Sequence, residues 1–202
     1  MTAGGPTLTG LLLAGGQARR LGGHKATVSV GGQSLLERAA DLAQACCDEV
    51  LLLAGERELS LPGVRRLPDL PGVGGPLAGL AAGLEEAGHG WCLLLSCDQP
   101  FLSEDHVTWL KGCLAGADSQ PLAVVFQDDH GLQPFCGLYH RDLLPILRAR
   151  LADGERSLRG LLSKSPHLSV SIDDLPDALA SACSFDVDTP ADLARARERC
   201  PS

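Results

Sequence analysis

Near its start the chain reads LTGLLLAGGQARRLGGHK from residue 8 to residue 25, an apolar run followed directly by a glycine-rich turn. The run has the length and the leucine content of a buried strand. Glycines at 15, 16, 22 and 23 let backbone N–H groups approach a polyanion, and Arg19, Arg20 and Lys25 add positive charge. The stretch therefore predicts a strand that ends in a phosphate-binding loop. A turn that is merely mobile would have the same glycine content.

The spacing of these glycines excludes the two best-known phosphate-binding motifs. Neither this turn nor the second glycine-rich segment, residues 72–79, contains G-x-x-x-x-G-K-[ST] or G-x-G-x-x-G. The sequence thus disfavours a Walker-type NTPase and a standard dinucleotide-binding fold. What is left is a loop whose backbone N–H groups, with Arg20 as a planar fork and Lys25 as a point charge, contact phosphate oxygens.

The order of predicted elements indicates the fold class. Short apolar runs alternate with helical patterns along the 202 residues, which is typical of repeated β-α units. This length suits one domain and is too short for two full-sized ones. We therefore predict a single domain over residues 1–202, with a Rossmann-like three-layer α/β fold and a mainly parallel central sheet.

Local patterns place the individual elements. The predicted strands are residues 8–13, 50–53, 64–67, 91–95, 122–126 and 134–139, with 168–172 as a further edge strand. Three helices are predicted from their caps: Ser34, in a capping box with Glu37; Ser103; and Thr189, which precedes a proline. We expect these helices to end near residues 46, 114 and 199.

Charge and composition limit the partners. The formal charge is −8, with 25 acidic residues against 17 Lys and Arg. Non-specific binding to nucleic acid or to an anionic membrane is therefore not expected, and the partner should be a small molecule. The N-terminus lacks the pattern of a signal peptide, and no apolar run approaches the length of a membrane span. The eight cysteines form no C-x-x-C pair, which favours incidental thiols in a reducing cytoplasm over a zinc or disulfide framework.

Carboxylates follow the predicted strands where a ligand would bind. Asp98 ends the apolar run 91–95, and Asp69 follows the run 64–67. In open α/β sheets ligands bind beyond the carboxyl ends of the strands, so Asp98 is a candidate ligand for Mg²⁺ and Asp69 a candidate contact for ribose or base. Asp186 and Asp188 alternate on an extended segment and can face one metal ion together. The alternatives are a helix-capping role for Asp98, an Asx turn at Asp69 and a helix-entry turn at Asp188.

Taken together, these motifs resemble the nucleotidyltransferases that complete the molybdenum cofactor, in particular the guanylyltransferases. The resemblance extends over nearly the whole chain. It is carried by LAGG at 13–16 with Arg20 and Lys25, GPLAGL at 75–80, CDQPF at 97–101, the strand that begins at Gln133-Pro134, and DTPADL at 188–193.

The resemblance implies a fold, a reaction and a set of site residues. It implies a Rossmann-like enzyme that binds GTP and molybdopterin in one cleft, transfers GMP to the molybdopterin phosphate and releases pyrophosphate with the help of Mg²⁺. The expected nucleotide-binding residues are Leu13, Ala14, Gly15, Gly16, Lys25, Asp69 and Asp98. Lys25, Asp98 and Arg20 form the expected catalytic set, and Asp98 and Asp188 the expected metal ligands. Molybdoenzymes that accept the cofactor, or their chaperones, are expected further partners.

Three features, at four positions, depart from the family pattern. His24 stands where the family usually has Asp, Ala54 where some members have a nucleotide-contacting Asn, and Asp186 and Asp188 replace asparagines. The last feature resembles relatives that use CTP. A cytidylyltransferase or another small-phosphate nucleotidyltransferase therefore stays an alternative, and a nucleotide sensor without catalytic activity is a second one.

Overall fold

The computed structural model describes residues 6–15, 25–55, 58–68 and 74–200. A seven-stranded sheet forms the centre of this part of the chain, and a two-stranded ribbon lies beside it. The sheet contains β1 (Leu8–Leu13), β4 (Glu49–Leu53), β5 (Arg65–Leu67), β6 (Trp91–Ser96), β7 (Ala123–Asp128), β8 (Gly131–His140) and β9 (His167–Ser171), and the ribbon β2 (Ser29–Val30) and β3 (Gln33–Ser34).

The strand order is β5-β4-β1-β6-β8-β7-β9. Neighbouring strands run parallel except at β8, which is antiparallel to both β6 and β7. The predicted mainly parallel α/β fold is confirmed. The reversal at β8 was not predicted, because an apolar run has the same composition in either direction.

The described residues include seven α-helices. These are α1 (Leu35–Cys46), α2 (Pro76–Glu86), α3 (Glu104–Ala115), α4 (Leu144–Ala152), α5 (Leu158–Leu162), α6 (Asp177–Cys183) and α7 (Pro190–Arg199). No helix in these ranges combines the length and the apolar character needed to cross a membrane.

Alternating side chains of the sheet divide the core into two layers. On β1, Leu8 and Leu12 face the layer that contains α1 and α3, whereas Leu11 faces the layer that contains α2, α4 and α5. Strands β4, β6 and β7 alternate in the same way. A period of two with apolar residues on both faces is characteristic of a strand covered on each side by helices. Because both faces of these strands are buried, their sequences are continuous apolar runs.

The predicted helix caps are confirmed. Ser34 and Glu37 form a reciprocal capping box at α1, and Thr189 caps α7, which has Pro190 at its first position. Ser103 caps α3, but its partner is His106, a buried histidine that the sequence analysis did not single out. His106 Nδ1 accepts a hydrogen bond from the backbone N–H of Ser103, so its Nε2 donates to the carbonyl of Leu179.

A bulge interrupts the pairing of β8 with β7. The register shifts between Val124 and Phe126, and Cys136 adopts a φ of 38° although it is not a glycine. The hydroxyl of the fully buried Tyr139 donates to the carbonyl of Pro134 at 2.8 Å. Bulges bend a strand and redirect its side chains. This one takes residues 134–136 out of the regular pairing of the sheet.

Replacement of Gly137 by alanine is expected to destabilise the bulge. The new Cβ would lie 2.8 Å from the carbonyl oxygen of Pro134 and 2.9 Å from the ring of Tyr139. We expect Gly137→Ala to lower the free energy of unfolding by about 1–3 kcal/mol. Urea denaturation followed by circular dichroism measures this change. Gly112→Ala on α3 is the control, since a Cβ there meets nothing within 4 Å and helix propensity favours alanine. Equal stability of the two variants would contradict the account of the bulge.

Candidate active site

The carboxyl ends of β1, β4 and β6 lie side by side at one edge of the sheet. Leu13 pairs with Leu53 of β4 and with Ser96 of β6. The backbone N–H of Ala14 continues this pattern by donating to the carbonyl of Leu53 at 3.0 Å. Gly15 lies two residues after Leu13, and Asp98 lies two residues after Ser96. Both residues therefore lie just beyond the same edge of the sheet. Parallel strands thus bring together two predicted motifs that are more than 80 residues apart.

A segment near the C-terminus joins the same edge. The backbone N–H of Val187 donates to the carbonyl of Asp98 at 2.9 Å, and the side chain of Val187 is fully buried. Because side chains alternate on an extended segment, Asp186 and Asp188 point away from the core while Val187 points into it. The carboxylate of Asp192 accepts from the backbone N–H groups of Asp188 and Thr189 and so fixes the turn into α7.

Lys25 connects these segments. Its ammonium Nζ lies 2.7 Å from Oδ2 of Asp98 and 2.5 Å from Oδ1 of Asp188. Lys25 as a whole is only 8% exposed, whereas the side chain of Asp188 is 63% exposed. One buried cation is therefore shared by two carboxylates that differ greatly in their access to solvent.

The electrostatics of this group follow from burial and from the number of carboxylates. Burial alone would lower the pKa of Lys25, but Asp98 and Asp188 raise it above its usual value, so the ammonium stays charged. Desolvation, together with the negative charges of Asp98 and Asp188, raises the pKa of Asp186 to about 6, although that residue keeps contact with solvent. Among the described residues, the carboxylates of Asp98, Asp186 and Asp188 carry more negative charge than Lys25 neutralises, and such an excess favours binding of a cation.

A cavity of about 310 Å³ opens beside Asp98. Its wall comes from five segments of the chain and includes Pro76, Asp98, Gln99, Gln133, Pro134, Phe135, Ser157, Leu158, Arg159 and Asp186. Arg159 donates to the carbonyl of Leu132 and to the side chain of Gln133, at 2.8 and 3.2 Å. The cavity thus has a cation on one side and carboxylates on the other, which suits a polar, anionic ligand.

Some of the predicted site residues lie in the described part of the chain, and others do not. Lys25, Asp98 and Asp188 make direct contact, and Leu13, Ala14 and Gly15 lie at the same sheet edge. Arg20, Gly16 and Asp69 lie outside the described residues, as do Arg19 and His24. Their roles stay predictions. Ala54 is buried directly after β4.

The sequence analysis gave no site role to Gln133, Phe135 or Arg159, which line the cavity. The Gln-Pro pair at the start of a strand signals a departure from regular pairing, because proline cannot donate to a ladder. Ser157 caps the short helix α5 two residues before Arg159, and this cap was a weaker signal that Arg159 lies near a functional site. Their proximity to Asp98 depends on the reversed direction of β8.

The chain matches the MobA-like NTP transferase domain over residues 10–169. A probable molybdenum cofactor guanylyltransferase from Nostoc sp. is 38% identical over 194 residues, which cover 93% of this chain and 89% of the relative. The chain belongs to the MobA-like NTP transferase family. It is therefore a nucleotidyltransferase, and the alternative of a catalytically inactive sensor loses its support.

Solved structures agree with the fold. The crystal structure of molybdopterin-guanine dinucleotide biosynthesis protein A from Archaeoglobus fulgidus superposes with a TM-score of 0.78 at 23% identity and covers 96% of this chain and 98% of that one. A Mycobacterium tuberculosis protein in complex with manganese has a TM-score of 0.65 at 19% identity, with 96% and 100% coverage. At these identities the likeness concerns the fold.

The raised pKa of Asp186 predicts how stability changes with pH. A carboxyl whose folded-state pKa lies above its unfolded value favours folding when protonated, so this contribution is lost as the pH rises through about 6. Asp186→Asn, measured in EDTA, should therefore raise the melting temperature at pH 8 by roughly 2–4 °C, or about 1 kcal/mol after allowance for solvent screening. The difference from the wild type should shrink as the pH is lowered to about 4.

Asp129→Asn provides the matched control for this measurement, because Asp129 is an exposed residue in the turn between β7 and β8. Thermal denaturation at several pH values should show no pH-dependent gain for it. An Asp186→Asn gain that is equal at pH 4 and pH 8 would contradict the assigned pKa.

Proposed function

We propose that this enzyme transfers GMP from GTP to the terminal phosphate of molybdopterin, releasing pyrophosphate and forming the guanine dinucleotide cofactor. The observation that carries the proposal is the contact of Lys25 with Asp98 and Asp188 at the carboxyl edge of the sheet, beside a cavity with a cationic wall. The names of the curated relatives support the choice of nucleotide and acceptor.

The proposed step is an in-line displacement at the α-phosphorus of GTP. An oxygen of the acceptor phosphate forms the new P–O bond, and the bond to the bridging oxygen of the β-phosphate breaks, with its electron pair leaving on pyrophosphate. The acceptor phosphate is already anionic near neutral pH, so a strong general base is not required. We assign Lys25, Arg20 and the loop amides at Leu13–Gly16 to binding and neutralising the triphosphate, and Asp69 to the nucleoside.

The donor set of the site suits a divalent cation. Two carboxylates, from Asp98 and Asp188, converge on a single point, where a cationic nitrogen now lies. Mg²⁺ is bound in such sites by one or two carboxylates together with substrate phosphates, so the absence of a larger acidic or thiol cluster among the described residues agrees with it. We propose Mg²⁺, which when bound would neutralise charge that develops on the phosphates. The manganese complex of the structural neighbour supports a divalent metal.

The cavity beside Asp98 is the proposed acceptor side of the cleft. Arg159 supplies a planar cation that suits a phosphate, while Phe135 and Leu158 offer apolar surface for a ring system. The nucleotide side is assigned to the end of β1, where Ala14 is buried and Gly15 is exposed. The nucleotide and the acceptor would then meet at Asp98.

Three finer assignments belong to the same proposal. We propose that residues 1–202 form a single nucleotidyltransferase domain, since β1 and β4 to β9 share one sheet and α7 packs on β2 of the ribbon beside it. A cytoplasmic location is supported by the eight cysteines, which all lie in the described part of the chain and of which none forms a disulfide bond there. Molybdoenzymes or their chaperones are the proposed recipients of the product.

Cytidylyl transfer is the second candidate, because Asp188, one of the two carboxylates that resemble CTP-using relatives, contacts Lys25 directly. Pyrophosphate release with purified molybdopterin and GTP, CTP, ATP or UTP separates the candidates. We expect turnover with GTP to exceed turnover with the other three. A preference for CTP would replace the guanylyl assignment, and a lack of turnover with all four would overturn the proposed function.

Loss of the Asp98 carboxylate tests the site directly. Asp98→Asn keeps the size of the side chain but removes a charge from Lys25 and from the proposed metal, so we expect turnover to fall by at least about a hundredfold. Asp48→Asn is the matched control, because Asp48 is exposed and precedes β4 at the opposite edge of the sheet. Wild-type turnover in a folded Asp98→Asn enzyme, with folding checked by circular dichroism, would remove Asp98 from the site.

A further inference from the structure

The ammonium group of Lys25 lies where a cation shared by Asp98 and Asp188 would lie. It is 2.7 Å from one carboxylate and 2.5 Å from the other, and the residue is almost fully buried. We propose that Lys25 holds the place of the divalent cation in the nucleotide-free enzyme and is released from both carboxylates only when a triphosphate binds. This inference rests on the proposed function in taking the substrate to be a metal–nucleotide complex.

Geometry makes the two cations compete for the same two carboxylate oxygens, Oδ2 of Asp98 and Oδ1 of Asp188. Oxygen ligands of Mg²⁺ lie at about 2.0–2.1 Å from the metal, and Nζ is already within hydrogen-bond distance of an oxygen on each carboxylate. A divalent ion bound to both oxygens would therefore lie within about 4 Å of the ammonium, in a region of low solvent access where repulsion is strong. Lys25 must leave these two oxygens before both of them can ligate a metal.

Burial explains why free metal displaces Lys25 poorly. An ammonium that loses its two carboxylate partners has little water to solvate it, because the side chain of Lys25 is only 11% exposed. An unpaired buried charge is strongly unfavourable. A free divalent ion would therefore gain these two carboxylate oxygens only by depriving the lysine of both of its hydrogen-bonded counter-ions.

A bound triphosphate removes this cost. Its oxygens offer Lys25 new anionic partners, and the four-carbon stem lets the ammonium move without a backbone change. The carboxylates are then free for the metal that accompanies the nucleotide. Lys25 thus has opposite effects on two equilibria: it opposes binding of metal alone and favours binding of the metal–nucleotide complex. In the nucleotide-free enzyme, Lys25 thus opposes the binding of any divalent ion to the two carboxylates.

The first experiment uses Mn²⁺ alone, with free Mn²⁺ measured by electron paramagnetic resonance. We expect nucleotide-free Lys25→Met to bind Mn²⁺ at least about tenfold more tightly than the wild type. Lys164→Met is the matched control, since Lys164 is exposed and precedes β9 at the opposite edge of the sheet, and its affinity should equal that of the wild type. The double variant Lys25→Met/Asp98→Asn should lose the gain. Lys25→Gln, which keeps hydrogen-bond donors, replaces Lys25→Met if that variant does not fold.

The second experiment adds GTP without an acceptor. Binding of the Mn–GTP complex should be weaker in Lys25→Met than in the wild type by about tenfold, the reverse of the order found with Mn²⁺ alone. A general effect of removing one positive charge would have the same two signs, because Mn²⁺ is a cation and Mn–GTP is an anion. Arg159→Met is therefore the charge-matched control: it removes a positive charge from the cavity beside Asp98 without freeing the carboxylate pair, and it should bind Mn²⁺ alone as tightly as the wild type. A gain in Mn²⁺ affinity equal to that of Lys25→Met would overturn the exchange.

A third measurement needs no change at Lys25. The chain has only three lysines, Lys25, Lys111 and Lys164, so the side-chain resonances of ¹⁵N-lysine-labelled enzyme can be assigned through Lys111→Arg and Lys164→Arg. Mg²⁺ alone should leave the Lys25 resonance unchanged, and Mg–GTP should shift it.

The possible failures are separable. Equal affinity of wild type and Lys25→Met for Mn²⁺ alone, or a Lys25 resonance that shifts with Mg²⁺ alone, overturns the exchange and leaves the proposed function intact if pyrophosphate release persists. Absence of pyrophosphate release with every nucleotide overturns the proposed function whatever the metal affinities are.

Discussion

The shared ion pair of Lys25 with Asp98 and Asp188 is the interaction on which the site depends. It joins Lys25, which follows the first strand, to the end of β6 and to the segment before α7. Asp98 and Asp188 lie 73 and 163 residues from Lys25 along the chain. With only one carboxylate, the buried ammonium would hold fewer of these segments together. Without the ammonium, the two carboxylates would repel each other. Removal of any one of the three therefore alters the position and the charge of the other two.

The reversed direction of β8 decides what lies opposite this ion pair. Its pairing with β6 ends at Gly137 and Leu94, so the first half of β8 separates from the end of β6 at the carboxyl edge of the sheet. The bulge at Cys136 and the hydrogen bond from Tyr139 to Pro134 keep that half apart. Gln133 and Phe135 then form a wall of the cavity. A parallel β8 would have placed these residues at the other edge.

Much of the architecture could be predicted from local pattern. The apolar runs at 8–13 and 91–95 correspond to strands, and the capping signals at Ser34, Ser103 and Thr189 begin helices in the structure. Strand boundaries moved by one or a few residues, as in β8, which begins at Gly131 rather than at Pro134. Boundaries depend on which backbone groups find partners, and those partners are distant in sequence.

By itself, the sequence determined the alternation of strands and helices, the cation at Lys25 and the carboxylates that follow strands, because each of these is a local property of residue type and spacing. It also carried the resemblance to nucleotidyltransferases. Only the tertiary structure decided that Lys25 lies between Asp98 and Asp188, that Asp186 is crowded by like charges, and that Arg159 faces them across a cavity. These facts depend on strand order and direction, which bring distant residues to one edge of the sheet and which no local pattern specifies.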